Sequence, residues 1–375
     1  MTIDLLRMVS DQLKVGAPLP FGIRDEQGKL LLAKGRIVAS EAQLEILLSR
    51  GLYVDHEQSG ADEEASGPET AKRRTTLFDL WKQITARLDL LLTSLDKPGF
   101  AERCDTFAGM LMGLIERDPD IAIYHSVRQD PNRLSLYGLS HALHCAMVAQ
   151  LAATRVGWPP ERVRTLVKAG LTMNISIVEV QGRYATLGKL NDAQRAEIHD
   201  HPQNAVDRLQ AAGVADADWL EAVLQHHERP GGGGYPHNLA TTGEMAAVLR
   251  MADVFMAKIS PRTERPALPI LDAARQMFAE SQGSPLAAAI IKEYGIYPPG
   301  NFVLLASGEM AVVIRRGATA HTPTAAAVTD HNGIPIVRTP RRNTADAKYA
   351  IKSSVPESKM MLRVPPERLY GLVEE

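Results

Sequence analysis

Histidine is the residue of this sequence best suited to chemistry, because a neutral imidazole binds divalent metal ions and titrates near neutral pH. Seven of the eleven histidines fall in one part of the chain: His141, His144, His199, His201, His226, His227 and His237. A lone histidine is usually structural, whereas a cluster spread over several predicted helices indicates a shared pocket. The sequence therefore predicts a metal or phosphate site here.

The adjacent pair His226-His227 stands at the end of a predicted helix, just before the glycine run 231–234. Neighbouring side chains on a helix diverge by about 100°, so both can reach one centre only near a helix end. Four glycines would let backbone amides approach a phosphate closely. A flexible loop without a ligand explains the same glycines equally well.

Short motifs surround these histidines in a recognisable order. The segment His226-His227-Glu228-Arg229 is followed by Gly234-Tyr235-Pro236, and the other elements are His144-Cys145, His201-Pro202, Ala252-Asp253 and the segment from Arg262 to Arg265. Over roughly residues 130–285 this order resembles the bacterial HD-GYP proteins. The resemblance implies an all-α bundle that opens cyclic di-GMP with the help of metal ions.

The resemblance also implies roles for individual residues. The implied metal ligands are His144, His201, His226, His227 and Asp253, and the implied ligand-binding residues are Gly234, Tyr235, Pro236, Arg262 and Arg265. Glu228 would orient the site through hydrogen bonds; an exposed glutamate at a helix end is the alternative.

One motif of the family is replaced. Where the family carries its histidine–aspartate doublet, this sequence has Met173 and Asn174. A neutral amide cannot supply an anionic bridge between two metal ions, and a thioether is a poor ligand for Fe, Mn or Mg. We therefore expect no binuclear centre of the family type. His201, His226 and His227, with Asp253 or water, could hold one divalent ion (Zn, Mn or Fe), or could be remnants that hold none.

The elements that position these residues are mainly helical. Periodic apolar residues predict helices from Thr75 to about Tyr294, including helices near 135–156, 160–179, 192–212, 216–227, 242–260 and 268–282. The fold class is thus mainly α, an HD-GYP-like helical bundle over residues 75–290.

Smaller units flank the predicted bundle. Residues 1–55 predict an α+β unit, with strands at 20–24 and 29–33 around the turn 25–28 and a helix after Ser40; residues 56–74 predict a linker. Residues 291–375 predict a small antiparallel β unit, with strands at 301–305, 309–314 and 334–337.

Composition excludes several classes of protein. A net charge of −2 gives no basic excess for nucleic acid, and 5% aromatic residues weaken any base-stacking platform. Two cysteines are too few for a disulfide framework. With no leader peptide and no membrane-spanning run in the sequence, we expect a cytoplasmic protein.

These observations predict a degenerate HD-GYP-like protein in cyclic di-GMP signalling. It would be a regulator that binds cyclic di-GMP or signalling proteins of the same pathway, with lost or weak hydrolysis. The alternatives are a cyclic di-GMP phosphodiesterase with an altered, mononuclear site, and a pure protein–protein module. No residue can be assigned as catalytic from the sequence.

Overall fold

The computed structural model describes residues 3–5, 13–24, 30–40, 43–44, 53–55, 76–129, 134–187, 189–263, 265–356 and 364–371. The predicted turn 25–28 and linker 56–74 lie outside the described residues, as does most of the helix predicted after Ser40. The chain divides into two compact units, Met1–Arg87 and Leu88–Glu375. The finer division into four segments stays a prediction.

The first unit contains a small antiparallel sheet. Its strands are β1 (Ile3–Leu5), β2 (Gly22–Arg24), β3 (Leu30–Leu32) and β4 (Tyr53–Asp55), in the order β1-β4-β2-β3. The two strands predicted near residues 20–24 and 29–33 correspond to β2 and β3. Phe21, Ile23 and Val38 form the centre of its small core.

The bundle is mainly helical, as predicted. Its helices are α1 (Leu77–Thr93), which contains the boundary between the units, α2 (Phe100–Arg117), α3 (Pro119–Val127), α4 (Tyr137–Arg155), α5 (Pro160–Thr172), α6 (Val178–Thr186), α7 (Asp192–Ala211), α8 (Ala217–Gln225), α9 (Glu244–Ile259), α10 (Ile270–Glu280) and α11 (Pro285–Tyr294). None of the helices in the described ranges is long and apolar enough to cross a bilayer.

Helix α4 is the central helix of the bundle and is buried along almost its whole length. Small residues make this possible, because a neighbouring helix can then approach its backbone. At the α5 contact, a Cβ added to Gly170 would lie 3.0 Å from the Cα of Ala146. The polar side chains of α4 are therefore forced either into the core or toward a cavity.

The predicted helix 160–179 is wrong at its end, since α5 stops at Thr172. Residues 173–177 form turns, in which Ile175 N–H donates to the Thr172 carbonyl and Ile177 N–H to the Asn174 carbonyl. The Ser176 hydroxyl donates to the carbonyl of His201 at 2.8 Å and ties this turn to α7. Asparagine, serine and isoleucine are weaker helix formers than the residues before them, which favours a break here.

The C-terminal segment forms the small antiparallel sheet that was predicted. Its strands are β5 (Phe302–Leu305), β6 (Met310–Arg315), β7 (Thr324–Ala327), β8 (Arg341–Asn343) and β9 (Ile351–Val355), in the order β8-β7-β6-β5-β9, followed by the short helix α12 (Pro366–Leu369). The strand predicted at 334–337 is wrong, because there only Pro335 forms an isolated bridge, with Thr329.

Candidate functional site

A cavity of about 310 Å³ opens between the helices of the bundle. It is lined by side chains from α4, α6, α7 and α9, from the turn after α5 and from the segments that follow α8 and α9. Its chemically useful residues are Tyr137, His141, Asn174, Gln181, Tyr184, His201, His227, Tyr235, Asp253, Arg262 and Arg265. The predicted site residues thus fall mostly around one space.

His201 and His226 meet at the wall of this cavity with their Nε2 atoms 3.1 Å apart. The Nδ1 of His201 lies 2.5 Å from the Ile198 carbonyl, and the Nδ1 of His226 lies 2.6 Å from the Val223 carbonyl. A carbonyl only accepts, so each Nδ1 carries the proton and each Nε2 presents a bare lone pair. Two lone pairs therefore face each other.

The local sequence explains why these two carbonyls are free to accept. In a regular helix the Ile198 carbonyl would bond the N–H of residue 202, but residue 202 is Pro202, which has none. The Val223 carbonyl lies in the last turn of α8, where carbonyls lack helical partners. The His-Pro sequence and the helix end thus fix the tautomer of each histidine.

The imidazoles of this group are neutral at neutral pH. Burial, together with the neighbouring His226, lowers the pKa of His201 to about 3. Burial also lowers the pKa of His226 and, more strongly, that of His227. Neutral imidazoles are the form that binds metal ions, so the protein holds three ready ligands rather than three cations.

Asp253 lies between the three histidines described above and a fourth histidine, His141. Its Oδ1 accepts a hydrogen bond of 2.6 Å from His141 Nε2, and its Oδ2 lies 3.8 Å from His227 Nδ1. Burial by itself would raise the pKa of Asp253, but the hydrogen bond from His141 and the interactions with His141 and His227 hold this pKa below its ordinary value. Asp253 is therefore an anion that borders both histidines.

Two groups of side chains with the chemistry and spacing to hold a metal ion occur in the part of the chain that the structure describes. Each has its potential ligand atoms within 4.8 Å of one another: His201, His226 and His227 in one, and His141, Cys145 and Asp253 in the other. The sequence analysis missed His141 and Cys145 as candidate ligands. The structure does not bring the predicted ligand His144 to either group; it is buried three residues further along α4, and burial with His125 and His141 nearby lowers its pKa to about 3.

The glycine loop is shaped by close packing. The amides of Gly231, Gly232 and Gly233 donate to Ala240, Arg229 and Asn238 within the loop itself. At Gly234, a Cβ would lie 2.5 Å from the Cα of Glu228, so only glycine fits. Gly234 and Pro236 do not line the cavity, and the loop amides that we expected near a phosphate serve the loop instead.

Glu228 and Tyr235 connect this loop to the histidines. The buried carboxylate of Glu228 accepts from the backbone N–H groups of His237 and Leu239, at 2.7 and 3.0 Å. The ring of Tyr235 stacks on His227 with centroids 4.4 Å apart. Glu228 therefore holds the loop in place, and Tyr235 covers one face of a potential ligand.

Two arginines bring positive charge to the cavity. Arg262 donates to the Tyr137 hydroxyl at 2.6 Å, and its guanidinium lies 4.9 Å from the centre of the Tyr137 ring. Arg265 donates to the carbonyl of Ala257. Burial and the charge of Arg262 lower the pKa of Arg265. Among the described residues, neither arginine pairs with a carboxylate, so both guanidinium groups can bind an anion.

The helical bundle that carries this cavity is similar to a known protein family. Residues 113–284 match the model of the HD domain, and this stretch contains every candidate ligand described above. This match supports an HD domain in these residues, as the resemblance to HD-GYP proteins implied.

The chain is also similar to a curated protein and to a solved structure. Over 187 residues, 48% of this chain, the sequence is 33% identical to cyclic di-GMP phosphodiesterase PA4108 of Pseudomonas aeruginosa; the match spans 44% of that protein, less than half its length. Among solved structures, Bd1817, a HDG"Y"P protein from Bdellovibrio bacteriovorus, has a TM-score of 0.49 at 14% identity, covering 76% of this chain and 97% of that one.

The two residues that the resemblance places at the family's histidine–aspartate doublet, Met173 and Asn174, have different surroundings. Met173 is fully buried and does not line the cavity, whereas Asn174 is 3% exposed and faces it. The amide of Asn174 is uncharged, so the anionic groups that meet the histidines come from elsewhere, in the first place from Asp253.

Proposed function

We propose that this chain is a cytoplasmic, degenerate HD-GYP protein that binds cyclic di-GMP and regulates a partner in the same pathway, with lost or weak hydrolysis. The observation that carries the proposal is the contrast within one cavity. Arg262 and Arg265, which pair with no carboxylate among the described residues, and several aromatic rings can bind a nucleotide, while Met173 and Asn174 stand where the family has its catalytic doublet.

Anion binding rests on Arg262 and Arg265. A guanidinium offers several donors to one phosphate, and such charge-assisted bonds are stronger than neutral ones. The Tyr137 hydroxyl accepts from Arg262 and limits its rotation, which reduces the entropy that would be lost when a phosphate binds. A phosphodiester therefore suits this end of the cavity.

Binding of a base rests on the aromatic side chains. Tyr235 and Tyr184 both line the cavity and offer flat, apolar surfaces with a polar tip. Stacking of a base on an aromatic ring contributes on the order of 1–3 kcal/mol. The name of the Pseudomonas relative, a cyclic di-GMP phosphodiesterase, supports cyclic di-GMP as the ligand.

Equilibrium dialysis of the full chain with cyclic di-GMP tests this proposal. Truncating Arg262 removes a charged hydrogen-bond donor, so Arg262→Ala should weaken binding by roughly 10- to 100-fold, from about 1.5–3 kcal/mol. Arg275→Ala is the matched control, because Arg275 is 70% exposed on α10 and pairs with Asp272; its binding should equal that of wild type. No binding by wild type at high ligand concentration would overturn the proposal.

The second candidate is a phosphodiesterase with a single divalent ion, and the facing lone pairs of His201 and His226 favour it. Two imidazole donors of one ion, at about 2.0–2.1 Å from it and in tetrahedral directions, lie about 3.4 Å apart. The observed 3.1 Å is close to this separation. The three neutral histidines therefore fit a metal ion, with Asp253 as a neighbouring anion.

In such an enzyme these residues would have different roles. His201, His226 and His227 would hold the ion, which supplies Lewis acidity toward a phosphodiester and toward water. Arg262 would orient the phosphate, and Glu228 would keep the loop and Tyr235 in position.

Assays of cyclic di-GMP hydrolysis, with Fe(II), Mn(II) and Zn(II) added in turn, distinguish the regulator from the phosphodiesterase. Turnover by wild type that disappears in the His226→Ala/His227→Ala double variant would establish the enzyme. Binding without turnover in any metal would establish the regulator.

A further inference from the structure

The first compact unit carries an exposed surface on which aliphatic and basic side chains are mixed. Ile37 is 57% exposed and Val15 is 37% exposed. Lys14, Lys34 and Arg36 are exposed beside them in the sequence. We call these five residues the basic aliphatic patch.

Backbone hydrogen bonds hold the two segments of the patch side by side. The N–H of Gly16 donates to the Val38 carbonyl at 2.9 Å, and the N–H of Leu19 donates to the Arg36 carbonyl at 2.8 Å. The residues next to these bonds, which are those of the patch, therefore share one surface.

The core beneath the patch explains why its aliphatic side chains face outward. Leu13, Leu19 and Val38 belong to the buried core of this unit. Successive side chains of an extended chain point to opposite faces, so burial of Val38 directs Ile37 to solvent. The exposure of Ile37 is therefore fixed by the fold of the unit.

The patch is positively charged although the net charge of the whole chain is −2. In the described segments 13–24 and 30–40 every charged residue is a cation: Lys14, Arg24, Lys34 and Arg36. Charges are screened over about 8 Å at physiological ionic strength. A partner at the patch therefore meets the local positive charge rather than the net charge of the chain.

We propose that the basic aliphatic patch docks this protein on an anionic phospholipid bilayer. Val15 and Ile37 enter the boundary between headgroups and acyl chains, and the three basic side chains contact lipid phosphates. The proposal goes beyond the proposed function and does not depend on it, because it concerns the first compact unit and needs neither metal nor nucleotide.

A bilayer fits both halves of the patch. It offers an anionic layer directly above an apolar one, and interfacial segments bury their apolar face about 5–10 Å deep at this boundary. A nucleic acid would pair with the cations but offers no apolar layer to Val15 and Ile37, and the patch has no aromatic ring on which a base could stack. The combination of side chains therefore favours a lipid surface.

Docking of this kind should be reversible and should require anionic lipid. Each basic side chain near an anionic membrane strengthens binding about fivefold. A single long acyl chain gives only marginal membrane binding, and two aliphatic side chains bury less apolar surface than that. Neither the cations nor the aliphatic side chains therefore suffice alone.

Co-sedimentation of the full chain with lipid vesicles tests the proposal. Wild type should bind vesicles of equal parts phosphatidylglycerol and phosphatidylcholine at about 0.1 M salt, and should dissociate at about 1 M salt, where charges are screened within about 3 Å. It should bind pure phosphatidylcholine vesicles far more weakly. Lys34→Ala/Arg36→Ala should weaken binding to the anionic vesicles about 25-fold, and Ile37→Ser at least about fivefold.

Two matched controls lie outside the first unit. Arg183→Ala/Arg275→Ala removes the same net charge at two exposed positions of the helical bundle. Ile334→Ser removes an aliphatic side chain that is 59% exposed, close to the value for Ile37. Both variants should bind the anionic vesicles as wild type does.

A fluorescent probe separates insertion from simple adsorption. Ile37→Cys can be labelled selectively with an environment-sensitive dye, because Cys104 and Cys145 are buried. The emission of this dye should shift to the blue with anionic vesicles, whereas the same dye on Ile334→Cys should not shift.

Several results would overturn the proposal. Wild type that does not bind the anionic vesicles would do so whether or not any variant folds, as would equal binding by the two arginine-containing double variants. A dye at position 37 that stays in water while the protein is bound would exclude insertion, and duplex DNA bound through Lys34 and Arg36 in place of vesicles would exclude a bilayer as the partner. Failure of cyclic di-GMP to bind would affect the proposed function and leave the vesicle result unchanged.

Discussion

The unprotonated Nε2 atoms of His201 and His226 face each other at 3.1 Å, and each is fixed in that state by a backbone carbonyl that its own helix cannot use. Without a cation between them, the two lone pairs repel. A divalent ion converts this repulsion into two coordinate bonds. This arrangement of the two histidines therefore suits a divalent ion.

Metal should stabilise the wild-type fold. An ion that binds only the folded chain at about 100 times its Kd adds about 2.7 kcal/mol to the free energy of unfolding. For a domain of this size this raises the Tm by roughly 5–10 °C. Thermal unfolding with and without Zn(II) measures the shift. His226→Ala should abolish most of it, whereas His321→Ala, at an exposed position outside both metal groups, should keep it; an equal shift in both variants contradicts the prediction.

Pro202 should be required for metal affinity although it is unfavourable for the helix. Pro202→Ala supplies the missing N–H, which would compete with His201 for the Ile198 carbonyl. Loss of such an orienting bond typically weakens metal binding by about 10- to 100-fold. Removing a proline from a helix interior should at the same time leave the apo protein equally or more stable.

Titration with Zn(II) and urea unfolding, in parallel, check the two opposite effects of Pro202→Ala. Pro160→Ala is the matched control, because Pro160 occupies the first turn of α5, where proline costs little. Unchanged zinc affinity in Pro202→Ala would show that the carbonyl of Ile198 does not set the tautomer.

Acid should destabilise the metal-free protein through His144. Its folded-state pKa of about 3 lies below its ordinary value of 6.5, so protonation favours the unfolded chain. The loss begins as the pH falls below 6.5 and continues toward pH 3, at up to about 1.4 kcal/mol per pH unit. In His144→Leu the dependence of the free energy of unfolding on pH between 4 and 6 should decrease by about one proton. Above pH 7 the two slopes should coincide; equal slopes below pH 6 would contradict the assignment.

The case of His144 shows what the sequence could and could not predict. Periodicity identified the helix, and the histidine count identified the region. His141 and His144 are three residues apart and lie on nearly the same face of α4, so the sequence does not choose between them. Only the folded structure distinguishes them: His141 hydrogen-bonds Asp253, a residue more than a hundred positions later in the sequence. The sequence did not identify Cys145 as a candidate ligand for the same reason.

The strands of the C-terminal sheet also could not all be predicted from the sequence. Ile334 and Val337 look like strand residues but are 59% and 67% exposed, whereas the real strand β7 is mostly alanine, which favours helices in isolation. The alanines are accepted because strand β7 is paired on both sides, by β6 and β8. Pairing between distant segments, which single-sequence patterns do not contain, decided the strands.

Arg316 should anchor this sheet to the helical bundle. It bonds Asp120 at 2.5 Å and also contacts Glu293, and both acids are largely buried. Arg316→Ala removes one cation from each of two largely buried carboxylates. Glu293 keeps Arg155 and Asp120 keeps Arg315 at 3.9 Å, so the cost should be about 3 kcal/mol, the low end for a broken buried pair. Arg315 contacts Asp118 and Asp120 but is 50% exposed, so Arg315→Ala should cost at most about 1 kcal/mol. Urea unfolding compares them; equal losses would contradict this role for Arg316.

Restoring the histidine–aspartate doublet should increase hydrolysis of cyclic di-GMP. Asn174→Asp puts a carboxylate at a position that is 3% exposed and faces the histidines, so the apo variant should be less stable than wild type and should regain that stability when Zn(II) or Mn(II) is added. Combined with Met173→His, it should raise cyclic di-GMP hydrolysis at least about tenfold, which corresponds to about 1.4 kcal/mol of transition-state stabilisation. Asn332→Asp, in an exposed turn, is the control for an added charge and should do neither. A double variant no faster than wild type would show that Met173 and Asn174 are not what limits hydrolysis by this chain.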